Sequence, residues 1–242
     1  MTHAHPSLVH TRVLLKLSGE SLAEENGVGV SMNAVRQMAK SILELKELGV
    51  EIGIVIGGGN FFRGEKMVSQ GFERVTADQM GMLFTAANGL VLRSALEELG
   101  VRVTLMSSIV IPGVINIYER YQALKEIEAG NIVIFTCGTG APLFSTDSAA
   151  ALRAIEIKAD VILKASTVDG VYSDDPKKDP TAIRFDRLSY DMVLENKFRV
   201  MDLAAICLCH DHDMPVCVFD MRKPSVLKNI VLGQAEGTLI SN

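Results

Sequence analysis

The chain has 242 residues, 48% of them hydrophobic and 22% charged, with 24 Lys and Arg against 29 Asp and Glu for a net charge of −5. This is a globular composition rather than that of a disordered chain, and its acidity argues against wrapping a nucleic acid, whose phosphates demand a basic face. No apolar run approaches the ~20 residues of a membrane helix. Residues 1–10 are polar and lack the apolar stretch of a signal peptide, so they read as a loose tail. The cysteines, Cys137, Cys207, Cys209 and Cys217, include no CxxC pair, and reduced thiols in the cytoplasm are expected.

Apolar, β-branched runs alternate along the chain with longer helical patterns. Residues 13–17 predict a first strand. Ser31 then stands where an N-cap belongs, and Val35, Met38, Ile42 and Leu45 fall at helical spacing before Gly49 stops the helix. Residues 50–56 predict a second strand. Thr76, with Gln79 three positions on, reads as a capping box opening a helix that runs to about Gly100. A third strand is predicted at 101–105, a helix through Tyr121, Leu124 and Ile127 ending at Gly130, and a fourth strand at 132–135. Ser145 or Thr146 opens the next helix, and 161–163 is a fifth strand. After Asp169 comes a charged, proline-containing loop at 173–181 (SDDPKKDPT). It is followed by a helix at 203–209, a strand at 216–219, a helix at 226–232 and a last strand at 238–240. This rhythm, with strands apolar along their whole length, implies an α/β fold whose mainly parallel sheet is covered by helices on both faces.

In an open parallel sheet, ligands bind beyond the carboxyl ends of the strands. The first five predicted strands lead there to Lys16, Ser18 and Gly19; to Gly57, Gly58, Gly59, Asn60 and Arg63; to Ser107 and Ser108; to Gly138, Thr139, Gly140, Thr146 and Asp147; and to Lys164, Ser166 and Asp169. Small, hydroxylated, cationic and carboxylate residues of this kind suit phosphate groups and a metal. The three consecutive glycines let backbone N–H groups approach an anion, although such a run is as often a plain tight turn. It is neither a Walker A loop, because Glu65 stands where Lys is required, nor a dinucleotide fingerprint, because Phe62 replaces the third Gly. Lys16 and Lys164 are flanked by apolar residues and so placed to hold phosphates from two sides. The five histidines, His3, His5, His10, His210 and His212, lie outside these segments. An acceptor that is already an anion needs no general base, so the inventory leans toward a kinase with an acidic acceptor. Cys207, Cys209, His210, Asp211, His212 and Asp213 crowd together, but their spacing matches no zinc pattern, and a structural role is favoured.

Seven stretches together resemble the bacterial UMP kinases of the amino acid kinase superfamily: LLKLSGE (14–20), GIVIGGGNFFRG (53–64), DQMGML (78–83), TDSAA (146–150), KASTVDGVYSDDPKKDPTA (164–182), VMDLAA (200–205) and EGTLI (236–240). The resemblance covers nearly all of the chain beyond residue 10. It implies a three-layer αβα sandwich over 11–242 as a single domain, a homohexamer, and MgATP and UMP as substrates, with Mg²⁺ carried by the nucleotide. By the same resemblance Lys16, Leu17, Ser18, Gly19, Gly59, Arg63, Ser166, Tyr172 and Asp175 match ATP contacts. Gly58, Asp78, Thr139, Gly140, Ala141, Pro142, Leu143, Phe144, Ser145 and Thr146 match the UMP site, Asp78 reading the ribose. Lys16 and Lys164 are the candidates for stabilising transition-state charge, with Asp147 orienting a lysine or Mg²⁺.

Many relatives are activated by GTP and inhibited by UTP. Arg93 matches the GTP site of the better-known members, but Glu97, Thr104, Arg120 and Asn131 stand where His, Arg, Trp and Arg are expected. The resemblance therefore implies weak or absent GTP activation, while UTP inhibition, which uses the UMP pocket, can persist. Two other readings share the fold: a kinase for a carboxylate such as aspartate or acetylglutamate, and a non-catalytic nucleotide-binding or storage protein. Asp78 speaks against the first, since it repels an acidic amino acid. The joint presence of Lys16, Asp147 and Lys164 speaks against the second.

Overall fold

The computed structural model describes residues 7–25, 27–61, 67, 69–176 and 178–242. Along the chain run β1 (Arg12–Leu17), a 3-10 turn (Gly19–Leu22), α1 (Met32–Glu47), β2 (Glu51–Ile56), α2 (Arg74–Glu98), β3 (Val103–Ser107), β4 (Asn116–Ile117), α3 (Arg120–Glu128) and β5 (Ile132–Thr136). Then follow α4 (Thr146–Glu156), β6 (Val161–Ser166), β7 (Val171–Tyr172), β8 (Arg184–Phe185), β9 (Arg187–Ser189), α5 (Tyr190–Glu195), α6 (Leu203–Asp211), β10 (Val216–Asp220), α7 (Val226–Val231) and β11 (Thr238–Ser241). One nine-stranded sheet has the order β4-β3-β5-β2-β1-β6-β10-β11-β9, and β7 with β8 forms a small separate hairpin. Every neighbouring pair in the large sheet is parallel except β10–β11.

Strand alternation sorts the core into two layers. Val13, Leu15 and Leu17 of β1, with Leu163 of β6 and Phe219 of β10, face α1, α2 and α7. Leu14, Ile162 and Val218 face α3, α4, α5 and α6. The sandwich is thus αβα, as the apolar strand runs implied. In α4 the alanines at 149, 150, 151 and 154 are all buried, so that helix lies close against the sheet. Chain order places the site. From β1 the chain moves to the adjacent β2, skips a place to β3 and the edge strand β4, comes back to fill the gap with β5, and then crosses to β6 on the other side of β1. That reversal opens a crevice at the carboxyl ends of β1, β2 and β6, where such sheets bind ligands.

Several sequence expectations need correction. The long second helix opens at Arg74 rather than at Thr76, and no capping box forms: Thr76 Oγ1 donates to Glu73 Oε2 at 3.1 Å from inside the first turn. Ser31 occupies the N-cap of α1, but its side chain makes no capping bond. Tyr121 lies on the solvent face of α3, whereas Ile127 is buried, with Leu124 packed beside the core and Ala123 buried as well. The fifth strand runs on through Ser166, so Lys164 and Ser166 belong to it rather than to the loop beyond. Of the expected tail, residues 1–6 lie outside the described residues. The Val9 N–H donates to the Val231 carbonyl at 2.9 Å, and Leu8 packs on the α1–α7 layer. No helix among the described residues is long and apolar enough to cross a membrane.

Candidate active site

Lys16 and Lys164 are direct cross-strand partners in the β1–β6 register. Each follows an inward residue, Leu15 or Leu163, so each projects toward the α4 layer at the end of its strand. Asp147 meets them there, on the first turn of α4. Lys164 donates a hydrogen bond to Asp147 Oδ2 at 2.8 Å, and Lys16 Nζ lies 2.7 Å from Oδ1 as an ion pair without hydrogen-bond alignment. The three side chains are only 11–15% exposed. Burial by itself raises the Asp147 carboxyl, but attraction to Lys16 and Lys164 outweighs it and holds the group below its ordinary value. Burial, reinforced by repulsion from Lys16, lowers Lys164 despite its bond to Asp147. Two cations share this one carboxylate, with the charge of Asp202 acting on Lys164 as well.

The turns after β1 and β2 abut. A Cβ at Gly19 would stand 2.6 Å from both Asn60 Oδ1 and the Gly57 carbonyl, so only glycine fits. A Cβ at Gly58 would meet the Gly81 carbonyl and Phe84 Cβ at 2.9 Å, which seats that loop on α2. Holding the loop is a buried amide pair that the sequence reading missed. Asn60 and Asn88 donate to one another's Oδ1 at 3.1 and 2.7 Å, Asn88 also donates to the Gly57 carbonyl at 2.7 Å, and Asn60 to the Gly29 carbonyl at 2.8 Å. Both side-chain amides are thus spent on fixing the shape of the glycine loop. Ser18 caps the 3-10 turn beside that loop. Arg63 lies outside the described residues.

On the other side of the crevice Asp78 accepts from the Leu143 N–H at 2.8 Å and from Arg74 Nε at 2.9 and 3.0 Å. It therefore clasps the 139–145 loop to α2. The loop is held again at its start, where Arg153 donates to Ser108 Oγ at 2.9 Å and Ser108 donates to the Gly138 carbonyl at 2.7 Å. Leu143 adopts φ 74°, and the side chains of Leu143 and Phe144 stand 66% and 55% exposed beside the crevice. Thr139, Ala141 and Phe144 border an apolar cavity of about 400 Å³ against α4 and α6. Thr146 Oγ1 comes within 3.6 Å of where a Cβ at Gly57 would lie, so the two loops close on each other. Gly140, with φ 82°, approaches Ser108 too closely for a side chain, and Pro142 and Ser145 complete the loop.

A cavity of about 640 Å³ opens from Lys16, Ser18, Lys164 and Ser166 to Met221 and Lys223 in the turn after β10. Those last two were also missed, although the rule that singled out the earlier strand ends applies equally to β10. Tyr172 and Asp175 stand apart from this cavity, in the β7–β8 hairpin and its connection. The Tyr172 hydroxyl donates to Asp169 Oδ1 at 2.6 Å, and Asp169 pairs with Lys223 at 3.1 Å and Arg184 at 3.2 Å. The Tyr172 bond, with these cations, lowers Asp169 to about 2. Tyr172 is thus linked to the cavity through Asp169 and Lys223. Among the described residues no three His, Cys, Asp or Glu side chains gather as a metal site. In the 207–213 segment Cys209 is buried and His210 packs on Tyr190.

A cavity at the strand ends, a lysine pair on one carboxylate and a doubly pinned loop on an αβα sandwich are features that a phosphoryl-transfer site calls for. The family model described as the amino acid kinase family matches residues 11–220, and the chain belongs to that family. Among curated relatives, a uridylate kinase of Alcanivorax borkumensis is 52% identical over 99% of this chain and 95% of its own length. A uridylate kinase of Pseudomonas putida is 54% identical over 96% and 94%. Among solved structures, the UMP kinase from Bacillus anthracis superposes with a TM-score of 0.93 at 40% identity, covering 96% of each chain. The UMP kinase from Ureaplasma parvum gives 0.91 at 32% identity, covering 96% of this chain and 99% of its own.

Proposed function

We propose that the chain is an ATP:UMP phosphotransferase that supplies UDP to pyrimidine nucleotide synthesis in the cytoplasm. Its support is the likeness to uridylate kinases over nearly the whole chain together with one geometric observation, the pairing of Lys16 and Lys164 on Asp147 beside the larger cavity that both lysines line. ATP enters the larger cavity, its phosphates at Lys16, Leu17, Ser18, Gly19, Gly59 and Arg63 and its nucleoside toward Ser166, Tyr172 and Asp175. UMP lies under the loop 139–146, against Gly58, with its ribose at Asp78. A phosphate oxygen of UMP attacks the γ-phosphorus as the bond to the β–γ bridging oxygen breaks, and ADP leaves with that electron pair. Lys16 and Lys164 meet the charge on the transferring group. No general base is called for, in keeping with a site built from lysines and a salt-bridged Asp. Mg²⁺ would come with the ATP phosphates, as it commonly does where the protein provides one carboxylate rather than a cage, and Asp147 would be the carboxylate that orients it. The ion would supply charge neutralisation on the phosphate oxygens.

Exposed Val110, Val114, Ile117 and Tyr121, at the β4 edge of the sheet, form the kind of apolar stretch that contacts another subunit. They support the homohexamer that the resemblance implies. Following ADP release with MgATP against UMP, CMP, dUMP, aspartate and acetylglutamate tests the function. Turnover with UMP alone is expected. Turnover with an amino acid replaces the acceptor and leaves the fold, and nucleotide binding without turnover brings forward the storage reading.

A further inference from the structure

Asp147 is held by more than its lysines. Its helix begins at Ser145, whose Oγ accepts from the backbone N–H of Asp147 at 2.9 Å and of Ser148 at 3.3 Å. A capping box would place Glu or Gln at the third helical position to finish this arrangement, but that position here is Ser148. A carboxylate from another helix instead engages the hydroxyls of this turn. Asp202, the N-cap of α6, accepts from the Ala205 N–H at 3.0 Å. Its carboxylate also accepts from Ser148 Oγ at 2.9 and 3.1 Å and from the Ser145 hydroxyl in a shorter bond. One charged group thus ties together the first turns of α4 and α6, 54 and 57 residues away in sequence.

The consequence lies at Asp147. When the phosphates of two nucleotides enter, their negative charge repels this carboxylate and competes for both lysines. The lysine contacts alone then no longer fix it, and the backbone of the α4 first turn has to. We propose that Asp202 is a positioning residue for phosphoryl transfer: through Ser145 and Ser148 it anchors the first turn of α4, keeping Asp147 between Lys16 and Lys164 as the site fills. Its own charge also faces Lys164, adding to the field that favours the protonated lysine. This rests on the assignment of Asp147 and the two lysines to catalysis made above.

The test compares Asp202→Asn, Ser148→Ala, their double variant, Asp147→Asn and Ser189→Ala. Ser189 caps α5, its Oγ accepting from the Met192 N–H at 3.1 Å, so it controls for the loss of a helix cap elsewhere in the fold. Asn keeps an oxygen for the Ala205 N–H. Asp202→Asn is expected to hold Tm within about 2 °C while kcat falls about ten- to a hundredfold, with both KM values within about threefold. The double variant is expected to be no slower than Asp202→Asn, because both act through one link. Ser189→Ala is expected to lose about 2–4 °C in Tm with kcat unchanged. A kcat for Asp202→Asn within twofold of the wild type, or a loss that appears only in KM, or one matched by Ser189→Ala, overturns the proposal. Full activity of Asp147→Asn instead overturns the underlying site assignment, so the two failures read differently.

Discussion

Lys16 and Lys164 face each other in register on adjacent parallel strands, and Asp147 spans them with one oxygen to each. Like charges opposite one another in a sheet are destabilising, so this pair persists only because a third element supplies the counter-charge. Replacing Asp147 by Asn leaves two buried cations against a neutral group. The expected cost is about 3–5 kcal/mol of stability, as for a broken buried pair, and a fall in kcat of at least about a hundredfold. Urea unfolding and initial rates measure the two, and a variant as stable as the wild type shows that the carboxylate is not what holds the lysines.

The same trio sets the pH response. Asp147 is held below its ordinary carboxylate value, so its stabilising contribution is complete above the unfolded pKa and disappears as pH falls through the lower folded one. Lys164 has the opposite sign. Its folded value is depressed, so the unfolded chain binds more protons between that value and the ordinary ~10.4, and its cost to stability is relieved as pH rises through that window. Activity needs the charged lysine, and kcat is therefore expected to fall on an alkaline limb below the usual lysine range without a matching loss of Tm. Lys164→Arg, which cannot lose its proton at these pH values, is expected to abolish that limb. A limb unmoved by this substitution assigns it to another group.

Asn88 makes a separate prediction because it touches no proposed substrate atom. Asn88→Ala removes the donors to the Gly57 carbonyl and Asn60 Oδ1, both buried. Each acceptor left unpaired costs about 1–3 kcal/mol, and freeing the glycine loop is expected to raise KM more than it lowers kcat. Thermal unfolding with substrate titrations checks both, and an unchanged KM shows that the loop keeps its shape without the amide pair.

What the sequence made legible follows from which signals are local. The apolar runs of β1, β2, β5 and β6 and the spacing of Val35, Met38, Ile42 and Leu45 announce buried strands and a one-sided helix. The strand-end rule finds Lys16, Gly57 to Gly59, Thr146 and Lys164. Two- and three-residue strands such as β4, β7, β8 and β9 have too few positions to show a period. Asn88 lies mid-helix among apolar neighbours and looks like an ordinary polar residue until Asn60 is placed beside it. Asp202 reads as the cap of its own helix, and its bonds to Ser145 and Ser148 exist only once α4 and α6 are packed. Their contributions reside in contacts across the fold, which no local pattern encodes.

The surface around Thr104 and Asn131 bears on regulation. Thr104 Oγ1 and Asn131 Nδ2 both donate to Glu126 Oε2, at 3.0 and 2.7 Å, and Gln122 donates to Oε1 at 2.6 Å. The Asn131 and Thr104 bonds lower the Glu126 carboxyl below its ordinary value, so it stays charged. Arg120, nearby on α3, is turned to the Glu156 carbonyl at 2.9 Å. Two positions where relatives are expected to offer Arg thus serve a carboxylate here, and a triphosphate meets like charge instead of a cation. Velocity at fixed UMP is expected to change by less than about twofold across millimolar GTP, a coupling below about 0.4 kcal/mol. Glu126→Gln with Thr104→Arg and Asn131→Arg is expected to create GTP dependence where none existed. A clear rise with GTP in the unaltered protein shows that the effector reaches the subunit through groups other than these.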